Sequence, residues 1–190
     1  MAGSPRGLRQ IHATNRDRAT GANGSTRYHL CGAAENAMTP YLLAIVITIG
    51  TVLVESVSAG AHPMQKLRAL HQPRWSPPPS AWVLIGLLWY AICFISLVRL
   101  FRIEPPPLEV VGLLIALMLA NAFANVPQFR LQRLDAAFFY LFPYWVLLGI
   151  FLGRVRKVDV TVAALFGLYA VYQVYAGFWA WRLWRLNASH

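Results

Sequence analysis

Five long apolar segments constrain this chain more than any other feature of its sequence. Each is long enough to cross the hydrocarbon of a bilayer, which takes about 20 residues in a helix. Only helices and closed barrels satisfy their backbone groups in lipid, and these runs lack the alternation of barrel strands. The sequence therefore predicts an all-α membrane protein, a five-transmembrane-helix bundle with spans at about residues 41–59, 81–100, 108–126, 136–153 and 160–181.

The composition agrees with a membrane protein and argues against a nucleic-acid partner. Hydrophobic residues make up 57% and charged residues 13% of the chain, whereas soluble domains carry about 25% charged residues. The net charge of +10 comes from arginines that lie mostly at the ends of the apolar runs or in the amino-terminal tail. Cations at span ends meet lipid phosphates, and no basic segment interleaved with aromatics forms a separate domain. We expect the lipid bilayer, and no nucleic acid, as a partner.

The chain divides into a polar tail and a membrane domain. Residues 1–38 hold several arginines among Gly, Ser, Thr and Asn without apolar periodicity, which predicts a disordered basic tail; Met38 is a second candidate start. Residues 39–187 form the five-helix domain of an integral, multi-pass membrane protein. Lys and Arg are distributed too evenly between the two sets of loops to define its orientation.

The loop at residues 60–80 is the longest connection between spans, and long loops are more often functional than incidental. It carries the cations Arg68 and Arg74 and the indole of Trp75. One interpretation is a lid that binds an anionic ligand with a flat apolar body. The other is a loop that anchors the protein to lipid headgroups.

Aromatic residues dominate the last span. Tyr169, Tyr172, Tyr175 and Trp179 recur at three- and four-residue spacing and so share one helix face. Together with two aromatic residues of the fourth span, Tyr144 and Trp145, they would form either an aromatic-walled cleft or an ordinary packed core.

Polar residues inside the spans are a second group of candidates. Asn121 and Asn125 lie one turn apart in the third span, and Gln173 lies in the fifth. Such residues either serve function or hold helices together by hydrogen bonds. Glu55, near the end of the first span, is expected to reach the interface or to pair with a loop cation.

Small residues recur in the third span at Ala116, Ala120 and Ala124. A row of this kind lets another helix approach closely. It predicts a homodimer seam or, equally, a contact between helices of one chain.

The sequence contains no motif of a known catalytic or metal site. HExxH, GxSxG and glycine-rich phosphate-loop patterns are all missing, so neither a catalytic residue nor a metal ligand is predicted.

Motifs at both ends of the membrane domain carry a family resemblance. The run Pro73-Arg74-Trp75-Ser76-Pro77-Pro78, with Trp82 and Trp89-Tyr90 downstream, resembles the first loop and second helix of the TspO/MBR family of tryptophan-rich sensory proteins and translocator (peripheral benzodiazepine receptor) proteins. The ending Trp184-Arg185-Leu186-Asn187 resembles the end of that family's fifth helix, and Asn121 lies where its third helix carries a Leu-Asn pair.

The chain also departs from the family pattern near the expected cleft. Pro79 and Ser80 are an insertion in the usual Pro-Pro-x-Trp spacing. The family's third-helix Trp corresponds to Ala124 or Asn125 here, and its fifth-helix Asn corresponds to Ala180.

The resemblance implies a protein that binds a planar amphipathic ligand, a porphyrin or other tetrapyrrole, for transport or sensing. No cofactor is required beyond this porphyrin- or haem-type ligand, and a bacterial membrane is favoured over the mitochondrial outer membrane. The alternatives are an enzyme that degrades the bound tetrapyrrole and an interaction subunit of a membrane complex. The predicted ligand-binding residues are Trp75, Trp82, Trp89, Asn121, Tyr144, Trp145, Tyr172, Tyr175, Arg68 and Arg74.

Overall fold

The computed structural model describes residues 18–188, with side chains from residue 38 onward except at Pro79. This part of the chain is helical and contains no strand. The elements are α1 (Arg18–Ala59), α2 (Pro63–Ala69), α3 (Pro79–Phe101), α4 (Leu108–Phe123), a short π-helical turn (Val126–Arg130), α5 (Leu134–Val155) and α6 (Val160–Asn187).

Five of the described segments are long and apolar enough to cross a membrane, which confirms the predicted bundle. They are Met38–Ala59, Ser80–Phe101, Leu108–Arg130, Leu134–Val155 and Val160–Asn187. The last span continues beyond the predicted end at residue 181, because the helix runs through the polar ending to Asn187. The short α2, within the long loop, was not predicted.

Helix α1 begins at Arg18 and thus within the segment predicted to be a disordered tail. Its apolar, membrane-spanning part begins at Met38, in agreement with the predicted first span. Residues 1–17 lie outside the described residues, and the disorder predicted for them stays a prediction.

Proline determines where several helices begin and end. Helix α3 starts at Pro79, in the first turn, where a missing N–H is tolerated. Helix α4 ends at Phe123, because Pro127, four residues later, has no N–H to donate to the Phe123 carbonyl. The chain there widens into the π-helical turn, in which the Leu131 N–H donates to the Val126 carbonyl at 3.0 Å. This local widening turns the end of the third span towards the loop that carries α2.

Asp159 begins α6 as an N-cap. Its carboxylate accepts the Val162 N–H at 3.0 Å and the Arg99 guanidinium at 2.8 Å. Burial acts to raise the pKa of Asp159, but these hydrogen bonds hold it below its ordinary value. The pair joins the start of the fifth span to the end of the second.

Helices α3, α4, α5 and α6 pack in a closed ring, each against two neighbours, with α5 and α6 in the most extensive contact. The main core lies inside this ring and includes Leu97, Leu114, Phe151 and Phe166. A second cluster lies beneath α2 and consists of Leu67, Phe129, Trp179 and Leu183. The interval between the two clusters contains the candidate site.

Candidate functional site

A cavity of about 250 Å³ lies beneath α2, between the end of α1, the first turns of α3, the π-helical turn and the middle of α6. Its wall combines aromatic rings with a few amide and carboxylate groups. The lining residues are Glu55, Met64, Leu67, Trp82, Ile85, Gly86, Trp89, Asn121, Ala124, Asn125, Gln128, Phe129, Tyr169, Tyr172, Gln173 and Trp179.

The aromatic wall is built by pairing between α3 and α6. The ring of Trp82 lies 4.6 Å from that of Trp179, and the ring of Trp89 lies 4.3 Å from that of Tyr169. Trp82 and Trp89 are seven residues apart and so lie on the same face of α3. Two tilted ring pairs, an indole pair and an indole–phenol pair, therefore offer aromatic faces to an apolar ligand.

The polar side of the cavity centres on Glu55. Its carboxylate accepts a hydrogen bond from the Tyr90 hydroxyl on α3 and one from Asn125 Nδ2, at 3.3 Å, at the end of α4. No loop cation among the described residues forms an ion pair with Glu55, and the expectation that it reaches the interface stays a prediction. The carboxylate faces the cavity, where Tyr90 of α3 and Asn125, just after α4, supply neutral donors to it.

A buried hydrogen-bonded chain connects the cavity to the interior. The hydroxyls of Tyr144 and Tyr169 lie 2.8 Å apart, and Gln173 Nε2 donates to the Tyr169 hydroxyl. Two buried polar atoms of the cavity wall, Gln173 Oε1 and Trp89 Nε1, have no hydrogen-bond partner within the described part of the chain. Groups of this kind are uncommon in native structures and are candidates for satisfaction by a ligand or by water.

Helix α2 is held over the cavity by its lysine. Lys66 Nζ donates to the Phe129 carbonyl at 2.8 Å, at the end of the π-helical turn, where free carbonyls accumulate. The apolar face of α2 places Met64 and Leu67 on the cavity.

The remainder of the loop is joined to α6. Trp179 Nε1 donates to Ser76 Oγ at 3.0 Å, and Ser76 Oγ donates to Gln72 Oε1 at 3.0 Å. At the end of α6 the Asn187 amide forms two bonds with the His71 backbone, accepting from its N–H at 3.0 Å and donating to its carbonyl at 3.1 Å. The Trp-Pro-rich segment and the terminal Asn, which lie at opposite ends of the membrane domain, therefore form one roof.

A second cavity, of about 280 Å³, lies within this roof. Three side chains, Met64, Leu67 and Trp82, line both cavities and form the partition between them. Arg68 lines only the upper one. The two spaces differ in charge, with an arginine above and a carboxylate below.

Of the predicted binding residues, Trp82, Trp89, Asn121 and Tyr172 line the main cavity, and Arg68 lines the upper one. The other five lie outside both. They are Trp75, Arg74, Tyr144, Trp145 and Tyr175.

These outlying residues have other environments. Trp75, 40% exposed, stacks on Phe178 at 5.2 Å and meets Tyr175 edge-on at 5.6 Å, on the outer face of α6. Trp145 borders a separate groove of about 330 Å³ between α5 and α6, and its indole lies against Gly177. Sequence spacing shows which aromatic residues share a helix face, but it does not show which neighbouring helix packs on that face.

Several lining residues were not predicted as ligand contacts. Tyr169 and Trp179 belong to the aromatic stripe of α6, and that stripe was the signal that could have selected them. Gln128 and Phe129 reach the cavity only because the π-helical turn extends the third span. Glu55 was noticed as an acid within a span, but its inward direction depends on tertiary contacts.

The alanine row of α4 has mixed surroundings. Ala116 is exposed, the Ala120 carbonyl accepts the Tyr140 hydroxyl at 2.9 Å, and Ala124 lines the cavity. Part of the row therefore serves contacts within the chain. A homodimer through these residues stays a prediction.

The architecture and the roof motifs agree with the comparisons to known proteins. No curated protein matches the chain. The model of the TspO/MBR family matches residues 33–185, a range that contains the first four spans and all but the last two residues of the fifth. The chain is therefore a multi-pass integral membrane protein and belongs to the TspO/MBR family.

Proposed function

We propose that this protein binds a planar amphipathic molecule, a tetrapyrrole such as a porphyrin, in the cavity beneath α2 and carries or senses it in a bacterial membrane. The observation that supports the proposal is the pair of indole contacts that form the cavity wall, Trp82 with Trp179 and Trp89 with Tyr169. Flat, rigid aromatic walls with a few polar groups are typical of sites for planar apolar ligands.

The size of the cavity defines how such a ligand would be held. Pockets for drug-sized molecules measure about 300–1,000 Å³, so the main cavity of about 250 Å³ accommodates only part of a tetrapyrrole. The upper cavity is separated from it by side chains alone, and rotation of the Trp82 indole would join the two. The ring would then lie against α3 and α6 and extend upward into the roof.

Charge supports the same orientation. Protoporphyrin carries both of its carboxylates at one edge, and Arg68 in the upper cavity offers a planar guanidinium that pairs with carboxylates through two hydrogen bonds. The carboxylate edge would therefore lie in the roof, and the rest of the ring, with its pyrrole nitrogens, would enter the main cavity.

Two tryptophans allow a matched test. Trp82 lines both cavities, whereas Trp75 packs on the outer face of α6, and both were predicted from the same motif. Protoporphyrin titrated into purified protein in nanodiscs is followed by the shift of its main absorption band, which does not depend on the number of tryptophans. We expect saturable binding that Trp82→Ala weakens by about tenfold or more, in line with loss of a buried aromatic contact, and Trp75→Ala leaves within about twofold.

Equal affinity in the two variants, or binding that does not saturate, would contradict the proposal. The same samples separate a carrier from a catalyst. With a carrier, illuminated protoporphyrin bleaches no faster than in empty nanodiscs, whereas a degrading enzyme accelerates bleaching at protein concentrations far below that of the ligand.

A further inference from the structure

Glu55 has a position that binding of an apolar ring does not explain. It lies in the first membrane span and lines the main cavity, half-buried. Its two partners, the Tyr90 hydroxyl and Asn125 Nδ2, are both neutral. A carboxylate within a span is costly to bury and is normally paired with a cation or committed to function.

No cation in the described part of the chain forms an ion pair with Glu55. Basic side chains of the loop and the π-helical turn have other surroundings. Lys66 donates to the Phe129 carbonyl, Arg130 lies beside Gly60, and Arg68 lines the upper cavity. Glu55 therefore has no ion-pair partner among the described residues, and a ligand that carries positive charge would supply one.

The rest of the lower wall contains one buried acceptor and one buried donor, Trp89 Nε1, that have no partner within the described residues. Gln173 is 7% exposed, and its Oε1 has no donor within the described residues, because its Nε2 is the atom directed to Tyr169. Asn121 and Gln128 add neutral amides to the wall. A carboxylate and an unpaired carbonyl oxygen on one cavity suit a ligand that carries N–H donors.

The departures from the family pattern concern the same place. The position that corresponds to the third-helix Trp is Ala124 or Asn125, and both residues line the cavity here. Asn125 is also one of the two hydrogen-bond donors to Glu55. A small side chain and an amide, in place of an indole, leave the carboxylate open to the cavity.

We propose that Glu55 is a recognition site for a protonated nitrogen, so that the main cavity takes the cationic N–H end of a flat ligand while Arg68 takes an anionic end above it. This inference rests on the proposed function, since it concerns the same cavity. The new element is a prediction of the charge that the ligand carries near Glu55. The cavity is expected to favour protonated nitrogen heterocycles and amines over anions of the same size and shape.

Two fluorescent three-ring probes of nearly equal size test the charge preference directly. 9-Aminoacridine is a cation at pH 7, and 9-anthracenecarboxylate is an anion. Binding is measured by fluorescence anisotropy in nanodiscs of neutral phosphatidylcholine, with empty nanodiscs subtracted. We expect the wild-type protein to bind the cation at least tenfold more tightly than the anion, because a desolvated carboxylate attracts one and repels the other.

Substitutions then assign the preference to one residue. Glu55→Gln keeps the shape and removes the charge, and we expect it to weaken 9-aminoacridine about tenfold and to leave 9-anthracenecarboxylate unchanged or tighter. Glu55→Asp keeps the charge and should retain the preference in part. Glu109→Gln is the matched control, because Glu109 is 64% exposed in its side chain and pairs with Arg154 at 3.4 Å in the first turn of α4, remote from the cavity lining.

Each result bears on the inference. Equal affinity of the wild type for both probes, or a preference that persists in Glu55→Gln, overturns it, and absence of binding by either probe does so as well. The wild-type preference does not depend on whether a variant folds. Failure here would leave Trp82-dependent protoporphyrin binding intact, whereas loss of protoporphyrin binding with a retained cation preference would overturn the tetrapyrrole proposal alone.

Discussion

Replacement of Gly177 by alanine should separate helices α5 and α6. A Cβ atom built on Gly177 would lie 2.5 Å from Cζ2 and 2.8 Å from Cη2 of the Trp145 indole, whereas ordinary contact begins at 3.4 Å. The nearer atom is thus about 0.9 Å too close (3.4 minus 2.5). The ring is rigid, so the indole or the helix has to move.

The size of the effect follows from two opposing terms. Overpacking of a tight contact costs about 1–3 kcal/mol. Alanine gains roughly 0.5–1 kcal/mol over glycine within a helix. We therefore expect Gly177→Ala to lower the free energy of unfolding by roughly 1–2 kcal/mol.

The chain supplies both a control and a relief of the clash. Gly167 lies on the same helix, and a Cβ atom there meets nothing within 4 Å, so Gly167→Ala should leave stability unchanged or raise it slightly. Trp145→Phe removes the two atoms in the clash, together with an indole N–H that has no partner within the described residues. The double variant Gly177→Ala/Trp145→Phe should therefore be less destabilised than the sum of the single variants.

The assay is unfolding by SDS in mixed micelles, followed by far-UV circular dichroism because the tryptophan content changes. Equal stability of Gly177→Ala and Gly167→Ala would refute the close approach of the two helices. Strictly additive effects in the double variant would show that Trp145 is not the neighbour of Gly177.

Two further predictions concern the roof and the start of α6. Trp179→Phe keeps an aromatic ring near Trp82 and removes the hydrogen bond to Ser76. A double-mutant cycle with Ser76→Ala should therefore give a coupling free energy of about 1 kcal/mol, and each variant should release protoporphyrin faster. Zero coupling would show that this hydrogen bond does not hold the loop on α6. Asp159 has a folded pKa below its unfolded one, near 3.9, so its contribution to stability is present above about pH 4 and is lost as the pH falls through the folded pKa. Asp159→Asn keeps a capping oxygen but should flatten the acid limb of the stability curve, and an unchanged limb in thermal unfolding between pH 7 and pH 3 would count against the Arg99 pair.

Much of the fold follows from local physical rules. Apolar length predicts each span. The motifs also predict the part of the site that α3 supplies, because Trp82 and Trp89 lie seven residues apart and so share one face of that helix. The family resemblance indicates which end of the bundle carries the site.

The remainder depends on contacts between distant segments. Sequence spacing places Trp145 and Tyr172 equally well in a cleft. In the structure Tyr172 lines the main cavity, whereas the Trp145 indole packs outside it, against the small Gly177 of the facing helix. The inward direction of Glu55 depends on Tyr90 and Asn125, neither of which lies near it in the chain. The loop helix α2 has only seven residues and little periodicity of its own, and it is held by Lys66 on the π-helical turn.

The central claim, that a planar ligand binds beneath α2, is tested most directly by an experimental structure of the protein with protoporphyrin bound. The account predicts ring density against Trp82, Trp89 and Tyr172, with the carboxylate edge at Arg68 in the roof. Density in the groove beside Trp145, or on the outer face of α6 at Trp75, with the main cavity closed by side chains, would contradict it.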